Sequence, residues 1–128
     1  MSNLFIGLGA LSAFISVAAG AFGAHALKQV LDTDMLAVYH TAVDYQFFHS
    51  LGLIVIGILH KTSPRHCHPI SAWTMLAGII IFSGSLYILS TTGIKWLGMI
   101  TPIGGICFLA AWLILASSYL TGDQTKEG

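Results

Sequence analysis

Charge is what this chain has least of. Its 128 residues include five Lys and Arg and five Asp and Glu, 8% together, where a soluble domain carries about 25%. With 55% hydrophobic residues and a mean hydropathy of +0.83, a soluble fold of this size would have too little polar surface to face water. The basic residues form no patch and the formal net charge is zero, which argues against nucleic acid as a partner. Glutamate is nearly absent: Glu127 stands alone in a polar tail, so chemistry that needs paired Glu residues is excluded. Cysteine is scarce too. Cys67 falls in a polar loop and Cys107 inside an apolar run, so the pair is expected as free thiols at different depths.

What the chain does have is four long apolar runs. A hydrocarbon layer about 30 Å thick needs roughly 20 helical residues, and 4–24, 41–60, 70–90 and 96–120 each qualify. No Lys or Arg precedes the first run, so it reads as a retained span rather than a cleaved signal peptide. Backbone amides in lipid must be satisfied within the segment, which makes helices the expected form. The expected fold is an all-α membrane protein: a compact four-transmembrane-helix bundle, one domain over 1–128 with a polar tail at 121–128. Between the first two spans, LKQVLDTDMLAVY reads as an interfacial amphipathic segment, with Asp32 or Thr33 positioned to cap the next helix. HKTSPRHCHP, with Pro64 and Pro69, is a turn. Lys61, Arg65 and Lys126 against Lys28 and Lys95 favour both termini in the cytoplasm.

Helices in lipid associate by close backbone approach and interhelical hydrogen bonds. The first span offers Ser12, Ser16, Gly20 and Ala24 at four-residue steps, with Gly23 beside them. The third offers Ser71, Gly78 and Ser85, with Gly84, and the fourth Gly98 and Gly105, with Gly104. Pro102, in TPIGG, suits a kink and an ordinary first-turn proline equally.

An ionisable side chain inside a span is a functional candidate because burying it is costly. Asp44 and His49 are the clearest, yet five residues of helix leave them roughly 140° apart. Asp44 shares a face with His40 and Thr41, and His49 with Tyr45 and Gln46. His25 closes the first span and is placed to meet Asp44, Tyr45 or Gln46 if the chain folds back. Headgroup depth accounts better for Asp44 and His40. His49 lies about 12 Å along the helix from Thr41, and a structural role is favoured over a working one. His60, His66, Cys67 and His68 are weak metal candidates, since His-Cys-His in immediate succession is no usual ligand spacing. No metal or other cofactor is predicted, and Ser83 and Ser85 have no base near them in sequence.

Four stretches, GAFGAHALK (20–28), TAVDYQFFHSLGL (41–53), IFSGSLYILS (81–90) and TPIGGICFLAAW (101–112), touch all four spans in order. On them the chain resembles the bacterial membrane proteins classed as domain of unknown function 423, themselves similar to the eukaryotic transmembrane protein 256. The resemblance implies a small four-helix protein of the bacterial cytoplasmic (inner) membrane. It rests on Gly20, Phe22, Gly23, His25, Tyr45, His49, Ser83, Gly84, Ser85, Pro102 and Gly104, and it brings no catalytic residues with it. The segment 60–69 matches no motif of that family.

The functional expectation is a non-enzymatic membrane protein, in contact with lipid, that packs against another membrane protein or a second copy of itself. The alternative is a small carrier or a cofactor- or lipid-binding protein with a polar site drawn from His25, Asp44, Tyr45, His49, Ser83 and Ser85. Haem held between two histidines on facing helices belongs to that alternative.

Overall fold

The computed structural model describes residues 1–121, so the polar tail expected at 121–128 lies, beyond Thr121, outside the described residues. The chain runs through α1 (Ser2–His25), a 3-10 turn (Leu27–Gln29), α2 (Thr33–Thr62), α3 (Cys67–Gly78), a π-helical turn (Ile79–Ser83), α4 (Gly84–Thr92), a second 3-10 segment (Lys95–Met99) and α5 (Thr101–Leu120). Four stretches, Ser2–Gln29, Thr33–Thr62, Cys67–Thr92 and Lys95–Leu120, are long and apolar enough to cross a membrane. They form one bundle organised around α2. Helix α1 packs along α2, the third stretch packs against α2 elsewhere, and α5 leans on α3 and the π turn.

Local chemistry sets the helix ends. Asp32 Oδ1 accepts a hydrogen bond from the Met35 amide at 2.8 Å, capping α2. With that cap in place, the second half of the segment expected at the interface becomes the first turns of α2, and a single 3-10 turn remains before it. Gly93, at φ 72°, takes the left-handed conformation that ends α4, and its amide donates to the Leu89 carbonyl at 2.8 Å. Pro102 lies in the first turn of α5, where its missing N–H would have had no helical partner. The first-turn reading of TPIGG therefore holds, and the residues before it form the 3-10 segment rather than a longer α-helix.

The α1–α2 seam has a period nearer 3.5 residues than four. Helix α1 buries Phe5, Gly9, Ser12, Ser16 and Gly23, and α2 answers with Tyr39, Gln46, Ser50 and Gly57 among its buried residues. That is the spacing of a coiled-coil seam. A row at four-residue steps drifts about 40° per step around an α-helix. Gly20 accordingly lies at the seam's edge, where an added Cβ would be 3.3 Å from Val43 Cγ1, and Ala24 is exposed. The closest approaches occur at glycines outside that row: a Cβ on Gly23 would come within 2.5 Å of the Tyr39 ring, one on Gly57 within 2.7 Å of Ile6 Cγ1, and one on Gly9 within 2.8 Å of the Ser50 carbonyl oxygen.

An apolar cluster of Phe5, Leu53, Ile56, Ala72, Met75 and Ala111 fills the half of the bundle nearest Met1. The π turn lies beyond it and brings Phe82 onto α5. A Cβ on Gly104 would lie 2.7 Å from Phe82 Cα, and one on Gly78 would lie 2.6 Å from the Phe108 ring. Gly105 is looser, at 3.9 Å from the Phe82 ring, and Gly84 has open space. Gly104→Ala is therefore expected to push α5 off the π turn and cost about 1–3 kcal/mol, read as a lower unfolding temperature in detergent. Gly84→Ala is expected to be neutral or slightly stabilising; equal losses from both would contradict this packing.

Candidate functional site

Two polar arrangements lie between the helices, and α2 supplies the centre of each. The first is built on Gln46. Its Nε2 donates to the Ser12 carbonyl at 3.1 Å, and its Oε1 accepts from the Tyr87 hydroxyl at 2.6 Å. One side chain thus ties α1, α2 and α4 together. Around it, Ser50 Oγ lies 2.7 Å from Ser12 Oγ, Ser16 donates to the Val43 carbonyl at 2.8 Å, and Tyr39 donates to the Ala19 carbonyl at 2.6 Å. Ser83 donates to the Ala42 carbonyl at 2.8 Å, and Ser85 shares a 2.7 Å bond with Thr101. The serines expected at a polar site are thus occupied in helix-to-helix bonding.

The second arrangement is a cleft of about 380 Å³ between α2, the π turn and α5. Tyr45, His49, Phe82, Pro102, Phe108 and Trp112 form its walls, with Gly105, Ile106 and Leu109 on the α5 side. His49 is 7% exposed and lies flat on Phe108, with ring centroids 3.5 Å apart. Tyr45 stacks on Phe82 at 4.6 Å. The His49 Nδ1 is 2.7 Å from the Tyr45 carbonyl oxygen. A carbonyl can only accept, so Nδ1 carries the proton and Nε2 of the neutral ring carries the lone pair. No group of the described chain donates to Nε2. Among the described residues the buried side-chain nitrogens without a hydrogen-bond partner are Nδ1 of His60 and Nδ1 of His68, so Nε2 of His49 keeps some exposure, on the cleft that His49 lines. No Lys, Arg, Asp or Glu lines this cleft. The arrangement can hold an uncharged, largely apolar molecule and accept a hydrogen bond from it at Nε2, with the Tyr45 hydroxyl and the Trp112 N–H as the other polar groups of the lining.

Several residues singled out in the sequence lie apart from these two arrangements. His25 is exposed at the end of α1 and bonds none of Asp44, Tyr45 and Gln46. Nor does it approach His49: the Ser50–Ser12 bond sets His49 near the level of Ser12, and His25 lies about 20 Å further along α1. Asp44 is exposed in a shallow groove with Ser16, Gly20 and Phe47. The neighbouring Ser16–Val43 bond fixes its level about 13 Å from the His25 end of α1. His60 and His68 meet edge to face at 5.8 Å, and His68 Nε2 is 3.2 Å from the Tyr119 hydroxyl. His66 is exposed and Cys67 half-buried. Among the described residues no three His, Cys, Asp or Glu gather to hold a metal ion. Sequence reasoning missed the walls of the cleft: Phe82, Phe108 and Trp112 are apolar residues in apolar spans, and no periodic signal distinguishes them from lipid-facing neighbours.

Fold and site define a small four-span helical membrane protein with a polar seam and a lateral aromatic cleft. The profile of a family described as protein of unknown function, DUF423, matches residues 19–105, and the chain belongs to that family. It is 49% identical over 116 residues to a UPF0382 membrane protein of Staphylococcus haemolyticus, covering 91% of this chain and 94% of that one. It is 47% identical over 114 residues to the UPF0382 membrane protein YwdK of Bacillus subtilis, covering 88% and 93%. No solved structure matches.

The Gln46 network generates its own test. Gln46→Leu removes bonds to two helices and is expected to cost about 1–2 kcal/mol of stability in detergent or bicelles, and Tyr87→Phe alone about 0.6 kcal/mol. On the Gln46→Leu background, Tyr87→Phe should cost nothing more, because both substitutions remove the same bond. Fully additive losses in that double-mutant cycle would show that the two side chains are not partners.

Proposed function

We infer that this protein is a non-enzymatic binding protein of the membrane that holds a small molecule drawn sideways from the bilayer, in the cleft between α2, the π turn and α5. The observation that carries this reading is His49: more than nine-tenths buried, held in one tautomer, with an unpartnered Nε2 among aromatic walls. An acceptor left unpaired in an apolar surrounding costs about 1–3 kcal/mol, and an occupant that donates to it removes that cost. The volume falls within the range of small-molecule sites, roughly 300–1,000 Å³. Ile106 and Leu109, 65% and 73% exposed, form an outer rim that a lipid-dissolved molecule can cross. Besides His49 Nε2 the lining residues carry only the Tyr45 hydroxyl and the Trp112 N–H as side-chain polar groups, which supports holding or handing on a molecule over transforming it. The bacterial inner membrane and cytoplasmic termini fit the family resemblance and the charge distribution, and both belong to this proposal.

A second reading has its own observation. Asp44 is exposed on the bundle's outer surface well inside the span, and a carboxylate facing hydrocarbon is costly. That supports an accessory role in which the α1–α2 groove is covered by a second copy or another membrane protein.

Native mass spectrometry of the protein ejected directly from membrane vesicles addresses both readings. The wild-type chain is expected to carry one small lipid-soluble molecule. Gly105→Leu, which fills the cleft, is expected to reduce that occupancy by about tenfold, equivalent to 1.4 kcal/mol. A bare wild-type chain, or equal occupancy in the variant, ends the ligand reading. A dimer that Asp44→Asn separates supports the second.

A further inference from the structure

Ligand binding at the cleft is taken as the premise, and the chemistry of the walls narrows what the ligand can be. Nδ1 of His49 is committed as a donor to the Tyr45 carbonyl at 2.7 Å. A neutral imidazole has one N–H, so Nε2 can only accept. Turning the ring over within its 3.5 Å stack on Phe108 would put Cδ2 in place of Nδ1 and give up the bond to the Tyr45 carbonyl. A ligand meeting His49 must therefore donate. Charged headgroups do not fit, because neither a cation nor a carboxylate lines the cleft to balance one. Tyr45 and Trp112 bring an O–H and an N–H to the same lining, but a ketone, ether or quinone would still set a lone pair of its own against Nε2 and leave that acceptor unpaired. The shape of the walls narrows the choice again. His49 on Phe108 and Tyr45 on Phe82 are near-parallel pairs, 14° and 28° between planes, with Trp112 alongside. Flat aromatic walls suit a flat ring, since offset stacking is worth about 0.5–1.5 kcal/mol beyond the area buried.

We propose that the occupant is a bilayer-soluble molecule whose flat ring carries a hydroxyl, a phenol or hydroquinone head on an apolar tail, with its O–H donating to His49 Nε2. The tail leaves across Ile106 and Leu109 into lipid. The hydroxyl is the recognised group and the ring fills the aromatic slot.

The test uses the full-length chain in nanodiscs, with Trp112 as reporter on a background in which Trp73 and Trp96 are Phe. Three probes of equal chain length are titrated: an alkylphenol, its methyl ether and a straight-chain alcohol. The alkylphenol is expected to bind in saturable fashion, the ether about three- to tenfold more weakly, and the alcohol more weakly than the phenol. In His49→Leu the difference between phenol and ether should vanish while residual binding of both persists. If phenol and ether bind wild-type protein equally, the hydroxyl requirement is overturned and the cleft as a ligand site stands. If the alcohol binds as tightly as the phenol, the ring requirement is overturned. If none of the three binds, and Gly105→Leu behaves as wild type, the ligand-binding reading falls and this proposal with it.

Discussion

A polar side chain carried into lipid has no water to turn to, and the structure depends on how Gln46 meets that constraint. Its amide nitrogen reaches the Ser12 carbonyl on α1 and its oxygen takes the proton of Tyr87 on α4. Both ends are used, so the rotation of α2 about its own axis is set by bonds to two neighbours rather than by apolar packing alone. Three residues on, about 60° round the helix, His49 then points away from α1 toward α5, where Phe108 and Trp112 receive it. The direction of His49 follows from the satisfaction of Gln46.

The π turn completes the geometry. One widened turn at Ile79–Ser83 interrupts the third span where α5 comes closest, and Gly104 lets the backbones of Phe82 and α5 approach. A regular helix there would rotate every later residue of the span, including Tyr87 and its bond to Gln46. The same irregularity that shapes the cleft wall thus sets the partner of the central glutamine. Such turns are common at functional sites, and this one borders the aromatic cleft, through Phe82.

Much of the architecture is legible in the sequence, because its causes are local. Four apolar runs of membrane length are four spans, Asp32 is a capping residue at a helix start, and five residues of helix keep Asp44 and His49 on different faces. The detail is lost where causes are not local. The four-step row from Ser12 to Ala24 suggests a straight groove, but the seam follows a period near 3.5 and passes through Gly9 and Gly23 instead. His25 looks placed to fold back on α2, yet the 3-10 turn after it leaves its ring outside. Gln46 reads as a companion of His49, and only the positions of Ser12 and Tyr87, both distant in the chain, show it as the hub. Phe82, Phe108 and Trp112 become cleft walls through a backbone irregularity that no side-chain pattern announces.

The central claim is that His49 presents a bare Nε2 to a lateral cleft, and nitrogen NMR of histidine-labelled protein in nanodiscs reads that state directly. His49 is predicted to be neutral and protonated at Nδ1, with an Nε2 resonance that moves in the direction of hydrogen-bond acceptance when an alkylphenol is added and not in that direction when its methyl ether is added. A His49 protonated at Nε2, or an Nε2 resonance that responds alike to phenol and ether, would contradict it.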